Sequence, residues 1–181
     1  MNDGQARCCL NEFIQHGSPR HERKMSDPYE EIVAGETVLR FPPGARHEAV
    51  CARLHERVAA CLGAAAATRL LPRRAIVLLE PGTLLRPDLT LVTVATGKPW
   101  LIAEVVDSVD HGTDTVTKKN VYEDHRLPRL WMVDQRFDNV EVYHGSQYGL
   151  SLRHILAGRE RLTEPLLPGF DLAMPDLFTT R

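Results

Sequence analysis

Apolar positions recur along this chain in two rhythms. Between residues 46 and 62, Val50, Leu54, Val58 and Cys61 return every three or four positions. That is the period of an amphipathic helix, and Gly63 stands where such a helix would end. Elsewhere the period is two, or the run is wholly apolar. After a turn at Gly35 and Glu36, "TVLRF" reads as a strand, and "PPG" at 42–44 breaks the chain before the helix. "AIVLLE" at 75–80, "DLTLV" at 88–92, "WLIAEVV" at 100–106 and "LWMV" at 130–133 read as further strands. "GTDTVTKKNVYEDH" reads as a second helix, with Thr113 as N-cap and Asp114 at the positive end of its dipole. "NVEVYH" and "GLSLRHI" alternate over shorter spans and suit a closing meander.

The order is strand, helix, three strands, helix, strand, then small strands. It predicts an α/β fold with a central mixed β-sheet flanked by helices and an extra small-strand meander. Strands 88–92, 100–106 and 130–134 fall in the middle of that sheet. The helix linking the last two makes a right-handed crossover, which predicts that they are parallel neighbours. Residues 1–26 are polar and form an N-terminal extension, partly flexible, with a short helix around Cys9–Gln15. Residues 27–181 make one domain, in keeping with a chain of 181 residues.

With 43% hydrophobic and 25% charged residues the chain can bury a core, and its net charge of −2 leaves any nucleic-acid surface to be local. Basic residues cluster at Arg69, Arg73 and Arg74, at Lys118 and Lys119, and at Arg153, Arg159 and Arg161; clusters of that size are more often solvated surface than binding patches. Four cysteines show no metal-binding spacing. Cys51 and Cys61 lie in the helical pattern as small core residues. The reducing cytoplasm is the expected compartment. No apolar run approaches the roughly 18 residues of a membrane span, and "MNDGQARCCLNEF" has no signal-peptide core. No membrane partner is expected.

Two of the most apolar strands each carry an acid. Asp88 heads "LTLV" after Pro87, and Glu104 shares a strand face with Ile102 and Val106. A lone buried carboxylate costs several kcal/mol unless it pairs, takes up a proton or binds a metal. Neighbouring strands would bring the two acids together, and a hard divalent cation such as Mg²⁺ would relieve both their repulsion and their burial. In an α-helix Asp114, Lys118 and Tyr122 form one stripe about 80° wide, and Lys118 there could orient or deprotonate a metal-bound water. Plainer readings stay open: Asp88 capping a turn, Glu104 as the structural ion-pair partner of Lys118, and Asp114 with Lys118 as a surface pair.

Pro87-Asp88 followed by an acid in an apolar strand is similar to the PD-(D/E)XK nuclease pattern. Longer stretches are more specific. "YEEIVAGETV", "PPGARHEAVCARL", "LLRPDLTLV", "LIAEVVDSVDHGTDTVTKKNVYEDHRLPRLWMVD" and "LLPGFDLAMPDLF" together resemble the Uma-two family of putative restriction endonucleases, over residues 28–178. The resemblance implies a restriction-endonuclease-like core and a metal-dependent endonuclease that hydrolyses DNA with Mg²⁺ or Mn²⁺. It implies Asp88 and Glu104 as metal ligands with the Val105 backbone carbonyl, Lys118 as the catalytic lysine displaced from Val106 to the helix, and Glu30 as a further ligand or base. His47, Asp114 and Tyr122 match supporting positions, although a histidine in a first helical turn also reads as a packed or capping residue and Tyr122 as core. Where relatives carry a Ser-Pro turn, this chain has "DSVDHGTD", so that Asp107 and Asp110 add negative charge. His111 stands nearby without a family match. A homodimer is a further expectation, since cutting two strands favours two copies. The alternatives are a catalytically inactive nuclease-fold module that binds nucleic acid or protein, and a metal-dependent hydrolase of small phosphorylated substrates.

Overall fold

The structure, a computed structural model, describes residues 28–63, 66–106 and 112–179, with the side chains of residues 113–115 outside the description. The expected extension over residues 1–26 and its short helix lie outside the described residues, as do Asp107, Asp110 and His111.

The chain enters through a hairpin, β1 (Tyr29–Val33) and β2 (Glu36–Arg40), in antiparallel register from Tyr29 opposite Arg40 to Val33 opposite Glu36. Its two-residue turn, Ala34-Gly35, has positive φ at both positions, 51° and 85°. That conformation matches the strand twist, and a glycine adopts it at little cost. Helix α1 (Ala45–Ala60) follows and buries His47, Val50, Cys51, Leu54 and Val58 along one stripe. The chain then runs through β3 (Thr68–Leu70), β4 (Val77–Glu80), β5 (Thr83–Leu85), β6 (Leu89–Thr93) and β7 (Pro99–Val106). A π-helical turn, Thr113–Lys118, passes into α2 (Lys119–Asp124). After it come β8 (Arg129–Asp134), β9 (Asn139–Ser146), β10 (Gly149–Ala157), β11 (Arg161–Thr163), β12 (Asp171–Ala173) and the short α3 (Met174–Phe178).

The central sheet is mixed, in the order β10-β9-β8-β7-β6-β3. β7 and β8 are parallel neighbours in register Leu101–Arg129 to Val106–Asp134, as the crossover rule requires. The closing meander does not stand apart: β8, β9 and β10 are antiparallel neighbours that continue the sheet outward. "AIVLLE" is also a strand, but it joins a second sheet, β2-β1-β5-β4. The sequence reading missed β5, which completes that sheet through a single bridge, Ile32 opposite Leu84.

Alternation along β7 divides the core in two. Leu101, Ala103 and Val105 face α1 and the C-terminal segment, with Trp131 stacked on Phe170 at 5.4 Å between centroids. Ile102 and Val106 face the other way, onto Val33, Leu85, Val121 and Tyr122. Glu104 belongs to this second face. Both sheets and both longer helical segments therefore converge at the C-terminal half of β7.

Candidate functional site

Glu104 projects from the middle of β7 and is 2% exposed. Its Oε1 accepts from Lys118 Nζ at 3.2 Å and from the Tyr122 hydroxyl. Lys118, itself 1% exposed, stands 3.0 Å from Glu31 Oε1 on β1. The same Glu31 oxygen accepts the Arg86 backbone N–H at 2.7 Å, and Arg40 Nε lies 3.4 Å from Glu31 Oε2. One ammonium thus bridges two buried carboxylates on strands of different sheets.

Asp88 sits one residue before β6. Continuing the β6–β7 register one step beyond the Leu89–Ala103 pair brings it opposite Glu104. Its carboxylate nevertheless takes other partners. Oδ2 accepts the Val105 backbone N–H at 2.8 Å and lies 3.3 Å from His47 Nε2 on α1, while Arg74 Nε is 3.8 Å from Oδ1. Burial alone would raise the Asp88 carboxyl, but His47, the Val105 N–H and the charge of Lys118 outweigh it and hold it down at about 2. His47 moves the opposite way. Burial opposes its protonation, yet Asp88 raises it above its ordinary value. Tyr29, beside this group, is pushed up to about 12 by burial and by Glu31.

The pair should leave a mark on stability against pH. Asp88 contributes stability that is present above its ordinary 3.8 and is lost as pH falls toward about 2. His47 contributes stability that is present below its ordinary 6.5 and is lost as pH rises through its higher folded value. The cost of His47→Gln, measured by urea unfolding in EDTA, should be largest between roughly pH 4 and 6.5 and should shrink at alkaline pH. A cost that is flat from pH 5 to 9 would show that the ion pair contributes nothing.

The structure therefore brings Asp88, Glu104, Lys118, Tyr122 and His47 into one neighbourhood. Glu30 is the exception: it is exposed on β1, and the acid that points inward is Glu31. The alternation of a strand decides this, because Glu31 shares a face with buried Val33. Sequence reasoning had little to separate the two acids, since Ile32 makes the opposite face apolar as well. Val105 enters the site through its N–H, which holds Asp88. The side chain of Asp114 lies outside the described residues.

The expected α-helical stripe does not hold over its first half. Residues 113–118 wind as a π-helix, whose wider turn breaks the four-residue spacing between Asp114 and Lys118. Gly112, not Thr113, occupies the N-cap position, without a side-chain cap. From Lys118 to Tyr122 the winding is α-helical, and these two residues reach the same Glu104 oxygen. Sequence reasoning also missed Arg40 and Arg74. The Arg74 backbone is left-handed (φ 54°), and its guanidinium holds Glu48 together with that of Arg73.

The chain matches the Uma2 family, described as putative restriction endonuclease, over residues 19–175. It belongs to that family. Its fold is shared with the crystal structure of a putative nuclease belonging to DUF820 from Anabaena variabilis, with a TM-score of 0.70 at 15% identity, over 83% of this chain and 90% of that one. No curated protein matches. Among the described residues no helix is long and apolar enough to cross a membrane. The buried Glu104–Lys118 unit thus lies on the central sheet of an Uma2 chain with a nuclease-like fold.

The donors available to a metal fall into two kinds. Glu31, Asp88 and Glu104 offer hard carboxylate oxygens, and among the described residues Glu31 Oε2 is buried with no hydrogen bond, facing Arg40 Nε at 3.4 Å. Such oxygens suit a cation of the Mg²⁺ class. A second group, His47, Cys51 and Asp88, offers nitrogen, sulfur and oxygen atoms that all lie within 4.8 Å of one another. Burial of the acids does not in itself demand a divalent ion, because Lys118, Arg40, His47 and Arg74 already stand against them.

Proposed function

We propose that this protein is a metal-dependent endonuclease that hydrolyses phosphodiester bonds in DNA. The observation that carries the reading is the buried Lys118 ammonium bridging Glu31 and Glu104 beside Asp88, in a chain of the Uma2 family. Asp88 and Glu104, with the Val105 backbone carbonyl, would hold Mg²⁺ or Mn²⁺. A divalent ion there would supply charge against the phosphate and acidify a bound water.

The chain's own residues do the rest. Lys118 Nζ offers its protons to Glu31 and Glu104, and so is held where it can orient the attacking water and offset negative charge developing on the phosphate. Glu31 fixes that ammonium and takes the further-acid role expected of Glu30. Tyr122 donates to Glu104 Oε1 and fixes the carboxylate's rotamer. His47 and the Val105 N–H keep Asp88 ionised and aimed. A second copy of the chain would let both DNA strands be cut in one encounter.

The test is plasmid cleavage with Mg²⁺ or Mn²⁺ against EDTA. Cleavage should require the metal, and Asp88→Asn and Glu104→Gln should each lower it at least about a hundredfold. Cutting by Asp88→Asn at the wild-type rate would refute the reading. One observation favours a non-catalytic module instead: Lys118 is buried and already ion-paired with two acids, as in a structural salt-bridge unit. DNA retained in a band-shift assay, equally with and without EDTA and never cut, would select that alternative.

A further inference from the structure

Among the described residues, one group of metal-ligating side chains shares His47 and Asp88 with the acid centre and adds Cys51, which that centre does not use. Cys51 Sγ stands 3.4 Å from His47 Nδ1, one helical turn apart on α1, and His47 Nε2 stands 3.3 Å from Asp88 Oδ2. All three residues are buried. A cysteine, a histidine and an acid in a row also describe a nucleophile with its base. Without a cation Cys51 does not fit that role, because burial and the Asp88 charge push its thiol well above the ordinary range; only a divalent ion bound to the sulfur would offset both.

The geometry points to a binding site for a thiophilic divalent cation of the Zn²⁺ class, held by His47, Cys51 and a carboxylate oxygen of Asp88. Zinc takes sulfur at about 2.3 Å and nitrogen or oxygen at about 2.0–2.2 Å, so ligand atoms around a tetrahedral ion stand roughly 3.3–3.7 Å apart. One ion takes one imidazole nitrogen: with Nδ1 as the ligand, Cys51 Sγ at 3.4 Å is already in that range, and the Asp88 carboxylate, now 3.3 Å from Nε2, has to turn toward the ion. One ligand atom from each of the three residues lies within 4.8 Å of the others, so side-chain rotations can bring the set onto one ion without moving the backbone elements. Three protein ligands leave a fourth position for water or another ligand.

Charge balance also favours the exchange. Binding places two positive charges in the site. The thiol proton leaves to solvent, and so does the imidazolium proton where His47 carries one, so the buried charge hardly changes. The sulfur sets the selectivity: Mg²⁺ prefers all-oxygen ligands, whereas Zn²⁺ and Co²⁺ accept thiolate. Asp88 belongs to both ligand sets. A zinc ion here withdraws Asp88 from the hard-metal centre and antagonises Mg²⁺. That consequence rests on the nuclease reading, whereas the binding site does not.

Co²⁺ is the probe, through its sulfur-to-cobalt charge-transfer band in the near ultraviolet. The full chain carrying Cys8→Ser, Cys9→Ser and Cys61→Ser should bind one equivalent and show the band. Zn²⁺ should erase it, and excess Mg²⁺ should not. Adding Cys51→Ser should abolish the band, and His47→Gln should weaken binding more than about tenfold. A band that survives Cys51→Ser, or its absence from the folded three-serine protein as judged by circular dichroism, overturns the site. Should the three-serine protein not fold, the otherwise wild-type chain with Cys51→Ser serves: it should retain one equivalent of zinc fewer by elemental analysis, and unchanged stoichiometry overturns the site. Zinc inhibition of Mg²⁺-supported cleavage, relieved in Cys51→Ser relative to that variant's own zinc-free rate, reads the shared Asp88. If the protein cuts nothing, the cobalt result still stands or falls alone.

Discussion

Lys118→Met should destabilise the metal-free protein by about 3–5 kcal/mol and, under the nuclease reading, lower DNA cleavage by at least about a thousandfold. Methionine keeps most of the length of the buried stem, so the loss is mainly electrostatic. The ammonium stands 3.0 Å from Glu31 Oε1 and 3.2 Å from Glu104 Oε1. Removing it leaves two acids facing each other in a place that water hardly reaches, and breaking a buried ion pair costs more than forming it ever gains. The two effects can be separated. Urea unfolding in EDTA reads the first, and single-turnover cleavage at a temperature where the variant is folded reads the second. Under the same reading Mg²⁺ should restore part of the lost stability, because a cation held at Glu104 would relieve the same repulsion. Wild-type stability in Lys118→Met would mean that the bridge contributes nothing to the fold. Wild-type cleavage would remove Lys118 from the chemistry.

How much of this was legible in the sequence depends on range. The central strands and both longer helical segments are local patterns. Val50, Leu54 and Val58 declare α1 within three turns, and the crossover between β7 and β8 follows from chirality once the intervening helix is seen. Asp88, Glu104 and Lys118 were visible as charges inside apolar runs. The second sheet was not, because β1 and β5 are more than fifty residues apart and meet through one bridge, Ile32 opposite Leu84. The π-helical turn was hidden for a different reason. A strip of polar residues such as "TDTVTKK" carries no apolar period to distinguish a wide turn from an ordinary one. The cations that answer the acids were just as obscure, since Arg40 and Arg74 look like surface residues until the hairpin and α1 fold over Glu31 and Asp88.

The two neighbouring acids of β1 should behave as differently as two glutamates can. Glu31→Ala should cost about 3–5 kcal/mol, and Glu30→Ala less than about 0.5 kcal/mol. Glu31 is fully buried, receives the Arg86 backbone N–H at 2.7 Å and stands between Lys118 and Arg40. Its loss strands an amide donor and deprives two buried cations of a shared partner, whereas Glu30 is exposed, where the solvent screens its charge. Glu31→Gln refines the comparison. The amide keeps the shape and its oxygen can still accept from Arg86, but the charge that fixes Lys118 is gone. Under the nuclease reading Glu31→Gln should therefore lose at least about a hundredfold in cleavage while keeping more stability than Glu31→Ala. Urea unfolding of all three variants beside plasmid cleavage checks the set. Should Glu30→Ala prove the damaging change and Glu31→Ala the silent one, the inward face of β1 has been assigned to the wrong acid, and the Lys118 bridge falls with it.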